Sequence, residues 1–226
     1  WHTVQDADNP DRPDVKFIGH EGFPQGAIVL KNGSVVLDGL SFRDGFIEFD
    51  MKATAQDIPG IQFRGHGEPG HQDAEEFYLR SFPECRASND CIQYAPVIHG
   101  FMLWNAYPQY QTQAPILDGW NHFKLVVSGH RMNVYINHST QPMLAVGNLE
   151  SSSTEGFIQL RGPAVFANLT VTPGAVEGLR RFLPLLDFPG QDRRHFDVGQ
   201  LSCGAAGHFF VGDRGDHHPQ RAQRQR

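Results

Sequence analysis

The chain has 226 residues, a formal net charge of −6, only four lysines, 24 Gly and 15 Pro. A chain of this length holds one large domain, or one domain with an appendage, and buries enough surface for a sizeable core. No apolar run approaches the roughly 20 residues of a membrane-spanning helix, and mild acidity argues against nucleic acid as the partner.

Residues 1–24 read as an exposed lead-in, with four Asp in the first fourteen positions. The chain opens on Trp1, so an upstream segment is expected to have been removed or to lie outside this sequence. Short strands begin near Ala27. Residues 27–30 and 34–37 flank Lys31-Asn32-Gly33, which predicts a hairpin. Residues 44–52 alternate, with Ile47, Phe49 and Met51 on one face and Phe46, Glu48, Asp50 and Lys52 on the other. Period two over that length is a half-buried strand.

The same pattern recurs. Ile61 and Phe63 oppose Gln62 and Arg64, and Phe77 and Leu79 oppose Glu76, Tyr78 and Arg80. Phe123, Leu125 and Val127 form one apolar face, and Met132, Val134 and Ile136 another. Residues 101–105, 156–160 and 165–171 are further strand candidates, about ten to twelve strands in all. No helical runs alternate with them, so the expected fold is all-β, a two-sheet antiparallel jelly-roll sandwich. After Pro173 the pattern stops. Residues 175–183 predict a short helix ended by Pro184. The Arg/His-rich text beyond about 190 is too poor in apolar residues to order itself.

Cys85 and Cys91 bracket a polar loop, a spacing that suits a small disulfide, with two free thiols as the alternative. Cys203 is left over. A disulfide implies an oxidising location, secreted or periplasmic.

Several segments, in order, carry a resemblance: 42–50 (Phe-Arg-Asp-Gly-Phe-Ile-Glu-Phe-Asp), 60–64, 76–80, 93–96, 119–124 (Gly-Trp-Asn-His-Phe-Lys), 134–136 and 166–169. Together they resemble the concanavalin A-like lectin/glucanase superfamily, of the laminin-G-like type, and are similar to secreted 3-keto-disaccharide hydrolase-like domains. The resemblance covers residues 25–173. It implies a sandwich with a sheet face that receives a glycan, and calcium at loop sites in some members. The superfamily spans lectins, adhesion modules, hydrolases and lyases, so fold does not settle function. Its laminarinase-like enzymes carry Glu-x-Asp-x-x-Glu. Here Glu48-Phe-Asp50 begins that pattern but Ala53 ends it, which removes the acid/base.

The polar strand faces supply the candidate glycan-binding residues Gln62, Arg64, Glu76 and Tyr78, with Arg80, Gln93 and Trp104. Alternate positions on neighbouring strands make one surface. Aromatic rings stack on sugars, while Arg, Glu and Gln meet hydroxyls. An outer face of ordinary ion pairs is the bland alternative. Tyr107 and Tyr110 fit either stacking or anchoring of their loop. His66, Glu68, His71 and Asp73 cluster in a Gly/Pro loop of no fixed register, so no metal site is assigned and no cofactor is expected. The sequence therefore points to a secreted carbohydrate-binding domain. The alternatives are a hydrolase or lyase of the same fold, with Glu76 and Glu48 as its carboxylates, and a structural extracellular module without a small ligand.

Overall fold

The computed structural model describes residues 1–4, 12–20, 22–68 and 70–174. The helix expected at 175–183 and the basic tail lie outside the described residues. Strand alternation decides the layout. In β5 (Gly45–Ala53), Ile47, Phe49 and Met51 are buried; β11 (Asn121–Ser128) and β12 (Arg131–Ile136) bury Phe123, Leu125 and Val127, and Met132, Val134 and Ile136. A sheet with one apolar face must cover it, and here two sheets cover each other. Sheet A runs β1 (His2–Val4), β4 (Ser34–Val36), β14 (Phe157–Arg161), β6 (Gly60–His66), β7 (Asp73–Leu79), β8 (Ile92–Ile98), β10 (Gln111–Thr112), with β9 (Phe101–Met102) also pairing β8. Sheet B runs β13 (Leu144–Val146), β12, β11, β5, β15 (Ala164–Pro173), β3 (Phe23–Asn32), β2 (Asp14–His20). Neighbours pair antiparallel in both sheets. The fold is the all-β two-sheet jelly-roll sandwich that the strand pattern called for. Phe123 of sheet B stacks on Phe49, with ring centroids 5.3 Å apart, and reaches Phe77 of sheet A at 5.7 Å.

Some local expectations are revised. Asn32-Gly33 closes no hairpin, because β3 belongs to sheet B and β4 to sheet A. The turn instead carries the chain between sheets. Gly33 sits at φ 81°, and a Cβ there would stand 3.0 Å from the Val4 carbonyl oxygen, so glycine answers both demands. The segment read as a lead-in supplies β1, β2 and the start of β3. Its backbone is paired although β2 is mostly exposed. Residues 101–105 yield only the two-residue β9, followed by single-turn 3-10 helices at Trp104–Ala106 and Pro108–Tyr110. Cys85 and Cys91 are joined by a disulfide, their Cα atoms 4.3 Å apart.

Arg64 is the main departure from alternation. It takes φ 54°, and the β6–β7 register shifts after Phe63. The bulge aims Arg64 away from the face of Gln62, and its guanidinium donates to Asp44 Oδ1 at 3.0 Å and to the carbonyls of Arg43 and Gly129. It is 3% exposed. Arg64 thus ties sheet A to two loops of sheet B and does not stand with the other candidate ligand residues. Burial pushes its pKa down, against the pull of Asp44 and Glu75.

Two buried polar groups face opposite demands. Glu75 accepts from the Tyr94 hydroxyl at 2.6 Å and from the Ser151 amide at 3.2 Å, while Tyr94 accepts from the Glu150 amide. These bonds hold the β13–β14 loop against β7 and β8. Asn133 on β12 is 1% exposed, and among the described residues neither its Nδ2 nor its Oδ1 has a partner.

Burial raises the Glu75 pKa from 4.5 to about 7, against the opposing Tyr94, Arg64 and Ser151 contacts. Between those values the folded state holds more protons than the unfolded one, so stability falls as pH rises. The contribution is present below about 4.5 and lost above about 7, on the order of 3 kcal/mol. Denaturant titrations from pH 4.5 to 8 should show that slope, and Glu75→Gln, neutral throughout, should flatten it. Asn133→Val should stabilise by about 1–2 kcal/mol, because it removes an unpaired buried amide. Scanning calorimetry would read this as a midpoint higher by ~2–4 °C per kcal/mol.

Candidate functional site

The outer face of sheet A carries a pocket of about 450 Å³. Phe63, Phe77 and Ile158 go to the core, so Gln62, Glu76 and Gln159 on the same strands point the other way. Register places them side by side, since Gln159 is opposite Gln62 and Gln62 is opposite Glu76. Arg161, two residues along β14, completes the floor, and Gln72 enters from the β6–β7 loop.

These groups orient one another. Gln62 Nε2 donates to Glu76 Oε2 at 2.9 Å, and Arg161 donates to Glu76 Oε1. Glu76 is wholly buried, so both carboxylate oxygens need those donors. Gln72 accepts from the Gly70 amide at 2.7 Å and reaches Gln62 Oε1 at 3.4 Å. Gln159 is 5% exposed, lines the pocket, and has no hydrogen-bond partner for its carboxamide among the described residues. One end of the pocket is closed where the β8–β9 turn meets the β6–β7 loop. There the Gly100 amide donates to the Gln72 carbonyl, and a Cβ on Gly100 would lie 1.9 Å from the Gly70 oxygen.

The wall is a strap formed by β9 and the 3-10 turns. Trp104 on it is 51% exposed and Phe101 is 73% exposed, and both line the pocket. Tyr107 and Tyr110 behave differently. They stack on each other with centroids 6.4 Å apart, and Tyr110 packs edge-on against the core residue Tyr94. The aromatic run therefore divides into two anchors and two outward rings.

Beside the pocket, Gln93 is fully buried and spends its whole carboxamide on scaffolding. Its Oε1 accepts from Tyr78 Oη at 2.7 Å and Arg80 Nη2 at 2.6 Å, and its Nε2 donates to the carbonyls of Trp104 at 2.7 Å and Tyr107 at 3.3 Å. Arg80 also donates to the Asp90 carbonyl and lies over the Tyr78 ring. Burial lifts the Tyr78 hydroxyl well above its ordinary range. Of the residues singled out in the sequence, Gln62, Glu76 and Trp104 meet in the pocket. Tyr78, Arg80 and Gln93 form the mount of the strap, and Arg64 stands apart. Gln72, Gln159 and Arg161 were missed: Gln159 and Arg161 belong to a strand whose alternation is readable only once Ile158 and Leu160 are known to face inward.

Other features offer less. Glu48 and Asp50 lie on the outer face of sheet B, bonded to Lys124 at 2.9 Å and His122 at 2.9 Å, with the core between them and Glu76. Asp73 is engaged by the His99 amide and Ser152, and among the described residues no group of three His, Cys, Asp or Glu side chains converges as a metal site. A larger cleft of about 720 Å³ opens beside β2, where mainly apolar side chains such as Phe17, Leu40, Phe166 and Val171 line it.

No protein-family model matches the chain, and no curated protein sequence does. Solved structures are similar in fold. A Bacillus subtilis protein of unknown function with a galectin-like fold shares 15% identity at TM-score 0.49, over 71% of this chain and 86% of that one. A putative glycosyl hydrolase from Parabacteroides distasonis shares 13% at TM-score 0.47, over 73% and 91%. The carbohydrate-binding module CBM66 from Bacillus subtilis shares 14% at TM-score 0.41, over 71% and 92%. At these identities and scores the likeness bears on neither ligand nor activity.

Gln93→Leu should loosen the strap, because it removes two bonds to its backbone and takes one partner each from Tyr78 and Arg80. The expected cost is about 1–3 kcal/mol. Hydrogen exchange followed by mass spectrometry should show protection lost across residues 103–110 first. Unchanged exchange there would mean that the tyrosine anchors alone hold the strap.

Proposed function

We propose that this domain binds carbohydrate in the pocket on the outer face of sheet A, and that it does so in an oxidising compartment outside the cytoplasm. The observation that carries the reading is the combination of a buried floor of carboxamides with a half-exposed indole beside it. Sugar rings present apolar C–H faces and polar edges. Trp104 offers a flat apolar surface for the first, and Gln62, Gln72 and Gln159 offer directional donors and acceptors for the second. A pocket of about 450 Å³ falls within the usual range of small-ligand sites. The ordered motifs that resemble the concanavalin A-like superfamily support the same reading. The Cys85–Cys91 disulfide supports the compartment.

Binding is favoured over hydrolysis by the carboxylate inventory. Glycoside hydrolysis by the common route uses two carboxyl groups, about 5–5.5 Å or ~6.5–9.5 Å apart. Among the described lining residues Glu76 is the sole carboxylate, and it is tied to Gln62 and Arg161. Glu48 faces away on sheet B. A membrane span plays no part in this reading; no helix among the described residues is long and apolar enough for one.

The test is a glycan array followed by calorimetry on the best ligand. Trp104→Ala should weaken binding by roughly thirtyfold or more, the usual cost of losing an aromatic anchor, with an unchanged circular dichroism spectrum because the ring is half exposed. Reducing-sugar release should stay at background. A folded Trp104→Ala protein that binds as well as wild type would move the site elsewhere.

A further inference from the structure

Among the described residues, Gln159 is the one carboxamide of the pocket floor without a hydrogen-bond partner, whereas Gln62, Gln72, Glu76 and Arg161 are bonded within the site. The residue is 5% exposed, and its carboxamide opens onto the pocket. Strand register fixes it between Val36 and Gln62, and no described residue bonds it. A carboxamide that faces a pocket without a protein partner is left for water or a ligand to meet. A carboxamide presents an acceptor oxygen and donor N–H groups side by side. The complementary ligand therefore brings one donor and one acceptor at neighbouring positions. Two adjacent hydroxyls do this, since each can give one hydrogen bond and take another.

The charge in the pocket narrows the ligand further. Glu76 and Arg161 are the only ionisable side chains among the described lining residues, and they are bonded to each other. A carboxylate or sulfate brought onto this floor would have to compete with Glu76 for Arg161 and lose its own hydration. An ammonium group would likewise compete with Arg161 for Glu76. An uncharged ligand disturbs neither partner.

We infer that the pocket takes an uncharged sugar and reads a pair of neighbouring hydroxyls through Gln159, whose C=O accepts from one while its N–H donates to the other. Gln159 acts as a specificity residue, and the Glu76–Arg161 pair acts as a filter against charged glycans. This rests on the pocket being the carbohydrate site.

The experiment titrates the full chain by calorimetry with two panels. One holds neutral gluco-, xylo-, manno-, galacto- and fructo-oligosaccharides. The other holds oligogalacturonate, hyaluronan fragments and sulfated galactan fragments. Trp104→Ala serves as the control for the pocket. Wild type should bind a neutral sugar in a Trp104-dependent way, with the charged panel at least about tenfold weaker and little change in neutral-sugar affinity with added salt. Gln159→Leu, similar in size and unable to hydrogen-bond, should lose about ten- to a hundredfold while keeping its thermal midpoint. Deoxygenating the tightest neutral sugar at the recognised positions should weaken wild type but not further weaken Gln159→Leu. Trp104-dependent binding that prefers the charged panel, or that Gln159→Leu leaves intact, overturns this inference and leaves the pocket as the sugar site. Should Gln159→Leu misfold, the comparison of the two panels on wild type still decides. If no glycan binds wild type, or if Trp104→Ala changes nothing, the reading of the pocket fails and this inference falls with it.

Discussion

A carboxylate with no exposed surface must have donors on both oxygens, and Glu76 imposes that condition on the centre of sheet A. Gln62 answers from β6 and Arg161 from β14. They can do so only if β14, β6 and β7 stand in that order and in register. A slip of one residue would turn every side chain of a strand to the other face, putting Gln62 into the core and Phe63 on the floor of the pocket. The ion pair is thus coupled to the same register that packs Phe63 and Phe77 into the core. The pocket floor and the core are two sides of one constraint.

Adjacent residues show how strictly the sheet divides its faces. Glu75 and Glu76 are both buried, yet one points between the sheets and the other into the pocket. Glu75 meets Tyr94, Ser151 and the field of Arg64, and its burial outweighs them. Glu76 meets a guanidinium directly. The first therefore serves as a latch for the β13–β14 loop, and the second balances the charge of the pocket floor. Sequence alone gives both positions the same residue type, so their roles separate only through the pleat.

Much of the fold was legible because period two is hard to imitate. Ile47, Phe49 and Met51, and likewise Phe123, Leu125 and Val127, could hardly face anything but a core. What escaped were places where backbone conformation overrides pattern. Arg64 lies at a left-handed bulge, so its position after Phe63 predicted the wrong face. Asn32-Gly33 has hairpin chemistry but is used to change sheets, because a turn motif specifies reversal and not the partner strand. Gln62, Glu76 and Trp104 could be picked out as polar or aromatic positions beside apolar strands. Gln159 and Arg161 could not, since nothing in their neighbourhood says that β14 lies beside β6, more than ninety residues earlier in the chain. Such pairing is long-range information, and local spacing does not hold it.

The division of labour around Trp104 bears on how a site of this kind could bind with few contacts. An indole on a loose loop would have to be ordered when ligand arrives, and that ordering subtracts from affinity. Here the loop is fixed from below. Gln93 holds the carbonyls of Trp104 and Tyr107, Tyr78 and Arg80 fix Gln93, and Tyr110 wedges against Tyr94. Each of these groups is sheltered, while the ring they support is half exposed. The polar residues that look most like ligand contacts in the sequence are instead the reason the exposed ring has a defined position. The floor is held in the same way, through Gln72, Gln62, Glu76 and Arg161 in turn. Platform and floor are thus both set in advance, and in the proposed reading Gln159, the one floor carboxamide without a hydrogen-bond partner among the described residues, is the group left to meet a ligand.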